Sequence, residues 1–349
     1  MGSIEKPPGP RMKVLFLGAD NGNALKRANA ARRLGHEVTV IDPLKLFPRP
    51  DLVGKLVYFG LAFAFESFLK RKLARLLRGS RYEVILVDGG ELLGPAGLAS
   101  LREFSETIVN YNTDDPFGSR DRKKWRLYLK AVPHYDLLVV MRQVNVGEAY
   151  DAGARRVLQV FMSADELDGP RPISPQDRSR LAHEVLFIGT WMPERGPLLA
   201  YLLKAGIPLA IYGNRWRKAP EWPRLRAAWR GPAIYGDDYI KALQLAKISL
   251  GLLSKGNRDL HTTRTFEIPY CGGLLCAERT SEHLALYREG AEAVFWSTAD
   301  ECAEICRELL ADEARRRAIA EAGRRRCLLN GVFNENIMAQ IMSEATDGE

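Results

Sequence analysis

The sequence lacks any apolar run long enough for a transmembrane helix, which needs about 18 residues. The segment 1–11 has three prolines and no apolar stretch, so we predict a flexible tail and not a secretory signal. Cysteine is also scarce: there are five, an odd number, all in the last quarter of the chain, and no CxxC pair. These features argue against a disulfide framework and a zinc site, and they favour a reducing cytoplasm. We predict neither a metal nor a cofactor.

The net charge of +8 is concentrated in one segment and is not spread along the chain. Between Lys55 and Arg81 there are seven basic residues and one acidic residue, Glu66. The rest of the chain is nearly balanced, which argues against a broad nucleic-acid-binding surface. We therefore predict no nucleic-acid partner.

Short apolar, β-branched runs alternate with helical patterns from residue 12 onward. Strands are predicted at 12–18, 37–42, 83–89, 106–111, 135–141 and 156–161, with the first helix at 24–34. A second alternation predicts strands at 184–189, 208–213, 248–253, 273–278 and 292–296. Helices are predicted between these strands at 195–204, 236–246, 262–271 and 298–309, and after them at 311–326 and 332–344. Near-continuous apolar strands separated by helices indicate parallel sheets covered on both faces.

This pattern predicts an α/β protein with two Rossmann-like domains facing a central cleft. The N-terminal domain is assigned to 12–162 and the C-terminal domain to 183–330, with a proline-containing linker at 163–182 and a final helix and tail at 331–349. In such sheets ligands bind beyond the carboxyl ends of the strands. Candidate site residues are therefore sought directly after each strand.

In the first domain, polar residues follow two predicted strands. The turn at 18–24 places Asp20 and Asn21 at the edge of the sheet, and TDDP (113–116) places Asp114 and Asp115 there. The aspartate pair is either a plain turn, since Asp and Pro are favoured in turns, or a functional pair that accepts hydroxyl protons or holds sugar hydroxyls.

In the second domain, two glycine-containing segments follow strands. In FIGTWMPERG (187–196), the backbone amides near Gly189 and Thr190, a helix N-terminus and Arg195 can hold a diphosphate, or the segment is an ordinary loop. YGNRW (212–216) repeats this arrangement with Gly213, Arg215 and Trp216. Trp216 is either a core residue or a face on which a base stacks.

The segment KGNRDLHTTRTFEIPYCGGLLCAE (255–278) is the most distinctive in the chain. Its polar loop includes Asn257, and it leads into a short helix that carries Glu267. A carboxylate in the first turn of a helix at a cleft either stabilises its own helix dipole or accepts both hydroxyls of a ribose.

The run from Val185 to Phe295 resembles the group 1 glycosyltransferases, in particular their CgeB-like branch. Four segments carry the resemblance by their order and spacing: FIGTWMPERG, AIYGNRW, IYGDDYIKALQLAKISLGLL and RTFEIPYCGGLLCAE. The first domain agrees more loosely, through TDDP (113–116) and YDAGARRVLQV (150–160).

The resemblance implies a GT-B enzyme that binds a nucleotide-sugar donor on the second domain and an acceptor mainly on the first. Glu267 with Gly272 matches the E-x-x-x-x-G pattern whose glutamate binds the nucleotide ribose, and Arg195 matches a basic residue that meets the diphosphate. Asp259 stands where a more complete pattern has a second glutamate, and Arg264 with Thr265 is then expected to contact phosphate. The resemblance also implies that no metal is needed and favours retention of the anomeric configuration.

We therefore predict a cytoplasmic, metal-independent, retaining glycosyltransferase of the hexosyltransferase type, using a nucleoside-diphosphate sugar and a glycan, lipid, protein or small-molecule acceptor. The predicted catalytic residues are Asp115, Arg195 and Arg264. The predicted donor-binding residues are Gly189, Thr190, Gly213, Arg215, Trp216, Tyr235, Asn257, Thr265, Phe266 and Glu267. Two alternatives stay open: a sugar-nucleotide epimerase, and a non-catalytic GT-B-like binding protein of a surface or membrane assembly.

Residues 52–78 join an apolar half, Leu56–Phe65, to a basic half. An apolar segment flanked by cations is typical of interfacial helices, so one prediction is peripheral contact with the inner face of the membrane. The alternative is a core helix of the first domain with a solvated basic end.

Overall fold

The computed structural model describes residues 11–346, and the chain divides into two compact units. The first unit comprises the chain up to Phe161, the loop Gly256–Arg258 and the segment that begins at Asn334. The second comprises Met162–Lys255 and Asp259–Phe333. Residues 1–10 of the predicted tail and residues 347–349 lie outside the described residues.

The first unit is built on a parallel sheet of six strands. They are β1 (Lys13–Leu17), β2 (Glu37–Ile41), β3 (Val84–Asp88), β4 (Thr107–Asn112), β5 (Leu137–Val140) and β6 (Val157–Gln159), in the order β2-β1-β3-β4-β5-β6. The inner strands are buried at nearly every position, because helices cover both faces of a parallel sheet. The continuous apolar runs of the sequence follow from this burial.

Helices flank the first sheet and include the last helix of the chain. They are α1 (Gly22–Arg33), α2 (Pro50–Tyr58), α3 (Phe63–Leu76), α4 (Pro95–Leu101), α5 (Arg126–Ala131), α6 (Gln143–Asp151) and the final helix, Asn334–Thr346. The final helix packs on α1, and Arg33 pairs with Glu335. It is also held by Arg156, whose Nη2 lies 3.0 Å from Glu344 Oε2.

The segment 52–78, treated as a single apolar-to-basic helix in the sequence analysis, is two helices, α2 and α3. Gly60 lies between them with φ +90°. A Cβ at Gly60 would lie 3.0 Å from the carbonyl oxygen of Lys123. The break therefore depends on a left-handed glycine that packs closely against a distant part of the chain.

The second unit has its own parallel six-stranded sheet, in the order β12-β11-β10-β7-β8-β9. Its strands are β7 (Val185–Ile188), β8 (Leu209–Tyr212), β9 (Trp229–Gly231), β10 (Ile248–Gly251), β11 (Leu275–Glu278) and β12 (Val294–Trp296). The sequence analysis missed β9, an edge strand of three residues that pairs irregularly with β8. The predicted α/β fold with two Rossmann-like sheets is confirmed.

The remaining helices are α7 (Pro175–Leu181), α8 (Arg195–Lys204), α9 (Trp222–Leu225), α10 (Gly236–Leu245), α11 (Arg264–Tyr270), α12 (Ser281–Leu286), α13 (Ala299–Ala311), α14 (Glu313–Asn330) and α15, the final helix named above.

The predicted linker, 163–182, belongs to the second unit and contains α7, whose first turn has a capping box of Ser174 and Asp177. Between residues 11 and 346, no helix combines the length and apolarity of a membrane span.

Each sheet has a point where successive strands change sides. In the first sheet β1 lies between β2 and β3, and in the second β7 lies between β8 and β10. Open α/β sheets bind ligands beyond the carboxyl ends of the strands at such switch points. This topology directs the search for a site to the loops that follow β1, β3, β7 and β10.

Candidate active site

A pocket of about 370 Å³ lies beyond the carboxyl ends of β10, β11 and β12, and we call it the second-unit pocket. Its lining residues are Glu194, Arg195, Pro197, Leu198, Tyr201, Leu252, Leu253, Lys255, Glu278, Trp296 and Ala299. The volume is within the usual range for small-molecule sites. The pocket combines apolar walls with two cations and two carboxylates.

Arg195 begins α8 and ties together the loops that follow β7 and β10. Its Nη1 donates to Thr190 O at 2.9 Å, and its Nη2 donates to the carbonyl oxygens of Leu252 and Leu253, both at 3.2 Å. These bonds hold the positive charge of Arg195 at the switch point of the second sheet. The geometry makes Arg195 a positioning residue for the pocket as well as a cation beside it.

Lys255 is a pocket residue that the sequence analysis did not select. Its side chain is 61% exposed, and Nζ lies 3.1 Å from Glu278 Oε2. Its backbone N–H donates to Glu194 Oε1 at 3.0 Å. Its position two residues after the predicted strand 248–253 could have identified it, because a cation there lies near the carboxyl ends of the strands.

Gly189 and Gly213 allow two strand ends to come very close together. Gly213 has φ +152°, and a Cβ there would lie 1.9 Å from Gly189 O. The same carbonyl accepts a hydrogen bond from Trp216 Nε1 at 3.0 Å. Gly213 is therefore required for backbone packing at the carboxyl edge of the second sheet, whereas a Cβ at Gly189 would meet the ring of Phe187 at 2.6 Å.

The aromatic residues predicted to flank a base differ sharply in exposure. Trp216 is 1% exposed and packs edge-on against Phe187, so the structure makes it part of the core and not a stacking face. Tyr235, just before α10, is 74% exposed. Arg215 is also exposed and has a left-handed backbone, with φ 67°. Of this group, Tyr235 and Arg215 are accessible to a ligand.

Glu267 lies in α11 and is buried, but its carboxylate has a polar neighbour. Its Oε2 accepts a hydrogen bond of 2.6 Å from the hydroxyl of Tyr239 on α10. Burial and the neighbouring Glu267 carboxylate hold the pKa of Tyr239 well above its usual range, so this hydroxyl remains a donor. The matching glycine of the sequence pattern, Gly272, follows α11 with φ +88°.

Arg264, at the start of α11, reaches the end of β7. Its Nε donates to Ile188 O at 2.9 Å. Burial lowers the pKa of Arg264, but Tyr239 and Glu267 raise it, and the net direction is upward. Arg264 and Glu267 thus lie together at the carboxyl end of β7, although neither lines the second-unit pocket.

Two other predicted donor-binding residues of α11 are enclosed in the protein. The hydroxyl of Thr265 lies 2.9 Å from His283 Nε2 and is buried. Phe266 is fully buried. The structure gives both side chains a role inside the fold, so direct donor contact through them is not supported.

Asn257 has its contacts in the first unit, not in the second-unit pocket. It belongs to the loop Gly256–Arg258. Its Oδ1 accepts from Arg120 Nη2, and its Nδ2 lies 3.4 Å from Asp114 Oδ1. Its predicted grouping with the donor-binding residues is therefore not reproduced.

Asp115 is held by a cation that the sequence analysis did not connect to it. Arg258 donates to Asp115 Oδ2 at 2.6 Å and Oδ1 at 2.8 Å, and Asn145 donates to Oδ1 at 2.9 Å. Burial raises the pKa of Asp115, but the hydrogen bonds from Arg258 and Asn145 outweigh it and hold that pKa below its usual range. A buried carboxylate of low pKa is a poor general base, so the geometry disfavours the predicted catalytic role.

A second pocket, of about 580 Å³, lies beyond the carboxyl ends of β1 to β4, and we call it the first-unit pocket. Its lining residues are Leu17, Gly18, Ala19, Asn21, Asp42, Pro43, Leu44, Gly54, Val57, Tyr58, Val87, Asp88, Gly89, Gly90, Glu91, Leu92, Leu93, Asn112, Thr113, Asp114 and Lys124. The predicted Asn21 and Asp114 are here, whereas Asp115 is not. Asp20 instead pairs with Lys45.

The charges of the first-unit pocket are arranged around Lys124. Its Nζ lies 2.8 Å from Glu91 Oε1 and 3.2 Å from Asp114 Oδ2. Asp88, at the end of β3, is paired with Arg27, with Nη2 to Oδ2 at 2.6 Å. Carboxylates thus outnumber cations along this wall, which suits a ligand that presents hydroxyl or amine donors.

Three buried cysteines come together in the second unit, which the sequence analysis did not anticipate. The sulfur atoms of Cys276, Cys302 and Cys306 all lie within 4.8 Å of one another. The usable signal was the C-x-x-x-C spacing of the last two on the helix predicted at 298–309, since residues four apart share a helix face. Their proximity to Cys276 depends on the tertiary fold.

The fold and these sites can be compared with known proteins. Residues 195–343 match the model of the family described as glycosyl transferase-like, a stretch that includes Arg195, Arg264 and Glu267. A comparison with curated protein sequences gave no match. The matched stretch covers less than half of the chain and supports a glycosyltransferase enzyme.

Solved structures similar to this chain share the GT-B architecture. HepE of Anabaena, in complex with UDP and glucose, has a TM-score of 0.66 at 14% identity, covering 97% of this chain and 100% of that chain. Sucrose-phosphate synthase of Thermosynechococcus elongatus has a TM-score of 0.68 at 14% identity, covering 96% and 98%. The α,α-trehalose-phosphate synthase (UDP-forming) of Burkholderia xenovorans has 0.65 at 12%, covering 95% and 100%. The predicted GT-B fold is confirmed.

Proposed function

We propose that this protein transfers a hexosyl group from a nucleoside-diphosphate sugar to an acceptor hydroxyl. The observation that carries the proposal is the group of Arg264, Tyr239 and Glu267 at the carboxyl end of β7, inside the segment that matches the glycosyltransferase family. HepE of Anabaena, a structural neighbour, is described in complex with UDP-glucose. A uridine-diphosphate sugar is therefore the first donor to test.

In this proposal each charged group near β7 has a distinct task. Glu267 accepts the ribose hydroxyls while Tyr239 orients its carboxylate. The Nη groups of Arg264 and the exposed Nζ of Lys255 balance the diphosphate as it leaves, with Arg195 as a fixed positive charge behind the loop. Donor groups held in place before the reaction stabilise developing charge without rearrangement, which is where such enzymes gain most of their rate.

The acceptor is assigned to the first-unit pocket. Its carboxylates Glu91 and Asp114 can accept hydrogen bonds from hydroxyls, and its volume of about 580 Å³ suits a sugar-sized molecule. Retention is part of the proposal because the resemblance to the group 1 glycosyltransferases favours it. Arg258 lowers the pKa of Asp115, which makes this carboxylate a weak general base for an inverting reaction. The four segments that resemble CgeB-like enzymes support that branch and a cytoplasmic enzyme.

The reaction is proposed to need no metal ion. The carboxylates of the second-unit pocket are already engaged, Glu278 with Lys255 and Glu194 with the Lys255 amide. We assign the balancing of the diphosphate, where a metal would otherwise serve, to the exposed Nζ of Lys255 and to Arg264, with Arg195 as a fixed charge nearby.

A donor panel tests the proposal directly. The full chain is incubated with UDP-, GDP- and ADP-sugars, with and without excess EDTA, and products are separated by chromatography and NMR. We expect slow release of nucleoside diphosphate and sugar of retained configuration, unaffected by EDTA. An interconverted nucleotide sugar indicates an epimerase, and no turnover or binding with any donor indicates a binding protein. Loss of turnover in EDTA, restored by magnesium, contradicts metal independence.

We also propose that the first unit docks on an anionic membrane surface through the connection between α2 and α3. Large side chains are exposed there, with Phe59 at 68% and Tyr58, Leu61 and Phe63 beside it. Tyr58 and Phe59 share a pocket with four cations and one carboxylate, Arg120, Arg122, Lys123, Arg126 and Asp121, of which Arg120 and Asp121 pair with each other. The residues 120–126 thus add a second basic segment to the predicted membrane contact through 52–78. Exposed apolar side chains with cations beside them are suited to anionic lipid headgroups.

Vesicle sedimentation tests this contact. Wild type should sediment with anionic vesicles at low salt and not with neutral ones, and changing Arg71, Lys72 and Arg75 together to Gln should release it, since each cation contributes about 1 kcal/mol near such a surface. Phe59→Ser with Leu61→Ser should also release it. The matched control is Leu328→Ser with Leu329→Ser, two exposed leucines of α14. Failure of wild type to sediment contradicts the proposal.

A further inference from the structure

The cluster of Cys276, Cys302 and Cys306 lies in the apolar core of the second unit. Cys276 is in β11, between Leu250 of β10 and Val294 of β12 in the sheet register. Cys302 and Cys306 lie one turn apart on α13, and all three side chains are fully buried. The three thiols therefore converge from two elements onto one point that water does not reach.

The spacing of the three sulfur atoms suits a three-coordinate thiolate site. Bonds of about 2.3 Å to sulfur place the sulfurs of a three-coordinate site about 3.5 Å apart around a pyramidal centre and about 4 Å apart around a planar one. The observed separations of at most 4.8 Å require only small side-chain shifts to reach that geometry. A structural zinc ion is a poor match, because it takes four ligands and the described part of the chain brings three together here.

The apolar surroundings favour an occupant that forms a neutral complex. Three thiolates around a monovalent or divalent ion leave a net negative charge, and an unpaired buried charge is costly. Three thiolates around a trivalent centre leave none. Soft thiolate ligands select soft, thiophilic elements.

We propose that Cys276, Cys302 and Cys306 form a binding site for trivalent arsenic. Arsenous acid exchanges its three hydroxyl groups for the three sulfurs: As(OH)₃ and three thiols give As(SR)₃ and three water molecules. Three As–O and three S–H bonds break, three As–S bonds and three O–H bonds form, and no oxidant or reductant is needed. Entry requires a transient opening of α13 from β11, so binding is slow.

Occupancy of this site links two elements that also shape the second-unit pocket. Glu278, two residues after Cys276, and Ala299, three residues before Cys302, both line that pocket. A bound arsenic atom links β11 to α13, and both elements contribute residues to the second-unit pocket. Arsenic binding is therefore expected to raise the thermal unfolding temperature and to change the affinity of any ligand held in the pocket.

The test uses the full, reduced chain incubated overnight with sodium arsenite and then freed of excess reagent. We expect one arsenic atom per chain by elemental analysis. Native mass spectrometry should show a gain of one arsenic less three hydrogens, which marks a complete tris-thiolate. Cys276→Ala, Cys302→Ala and Cys306→Ala should each weaken binding and lose the mass of the complete tris-thiolate, because each variant lacks one of the three sulfur ligands. The matched control is Cys327→Ala, which removes a buried thiol outside the cluster and should bind as wild type does.

Three results would overturn the proposal. The first is no bound arsenic in wild type when a thiol titration of the denatured protein shows all five cysteines reduced. The second is unchanged arsenic affinity in any one of the three alanine variants that keeps the wild-type circular dichroism spectrum. The third is stoichiometric zinc retained by wild type when a zinc salt replaces arsenite in the same incubation. That result would contradict a neutral three-coordinate site.

Discussion

The two units have the same parallel sheet and the same kind of switch point, yet their pockets differ in charge. The first-unit pocket is lined by Asp42, Asp88, Glu91 and Asp114, with Lys124 as the cation among its described lining residues. The second-unit pocket pairs each of its two carboxylates with a neighbouring cation or amide, and a further cation, Arg264, lies at the end of β7.

The difference arises at the last residues of the strands, such as Asp88 and Glu278, and in the segments that follow the strands, which supply Lys124 and Arg195. The inner strands of both sheets are largely apolar and buried, so they supply rigid positions and little chemistry. The loops then decide whether a strand end offers carboxylates for hydroxyl groups or cations for a diphosphate. A shared fold thus leaves function to a few positions at the strand ends, so substitutions confined to one unit should leave the other unit unaffected.

The largest effect is expected for Gly213→Ala in the second unit. The new Cβ would lie 1.9 Å from Gly189 O, in a backbone with φ +152°, so clash and strain act together. We expect the free energy of unfolding of this unit to fall by more than about 4 kcal/mol, measured by urea denaturation.

Gly231→Ala is the matched control for that variant. Gly231 has φ +151°, but a Cβ there meets nothing within 4 Å. It therefore reports backbone strain alone, about 1–3 kcal/mol. Equal losses in the two variants would show that the close contact with Gly189 contributes nothing.

The next effect is expected in the first unit, for Arg27→Ala. Arg27 Nη2 lies 2.6 Å from Asp88 Oδ2, and both side chains are largely buried. Removing the cation leaves a buried carboxylate unpaired and should cost about 3–5 kcal/mol of unfolding free energy, while the affinity for any donor found in the panel should stay unchanged. Lys45→Ala, at the exposed pair with Asp20, should change stability little. If it costs as much as Arg27→Ala, burial does not determine the strength of these pairs.

Much of this fold could be predicted because buried parallel strands have an unmistakable apolar pattern. Strands such as Val84–Asp88 and Val185–Ile188 lie within their predicted ranges. The strand Trp229–Gly231 could not be predicted, since its three residues include a glycine and lie at a sheet edge. The break at Gly60 depends on Lys123, which is distant in the sequence.

The sequence predicted which residues of the candidate site lie near strand ends, but it did not predict which partners their side chains contact. That Arg195 and Glu267 lie near strand ends followed from their order after predicted strands. Trp216 is a core residue whose indole N–H bonds to Gly189 O. The carboxylate of Asp115 is bound by Arg258, which lies 143 residues away in the sequence. Long-range partners decide burial and protonation, and no local pattern records them.

A smaller, pH-dependent effect is expected in the second unit. Burial lowers the pKa of His283 to about 4, against about 6.5 in an unfolded chain. Between these values the unfolded chain binds a proton that the folded protein does not, so stability falls as the pH decreases. The loss should approach about 3 kcal/mol from pH 6.5 to pH 4.

Urea denaturation at several pH values measures this loss. His283→Gln should remove that part of the pH dependence, whereas His134→Gln, at an exposed position of the first unit, should not. An identical pH dependence in wild type and His283→Gln would contradict the assignment.

The smallest effect in free energy is the most informative about function: Glu267→Ala should weaken donor binding without unfolding the protein. Loss of hydrogen bonds to a charged group should cost about 1.5–3 kcal/mol of binding free energy, measured by calorimetry with the donor found in the panel. Tyr239→Phe removes the hydroxyl that contacts Glu267 but keeps the carboxylate. If Glu267 binds ribose, the alanine variant should lose much more affinity than the phenylalanine variant. If Glu267 serves only its contact with Tyr239, the two variants should lose stability alike and keep donor affinity. That result would remove the ribose assignment and leave Lys255 and Arg264 as the candidate donor contacts.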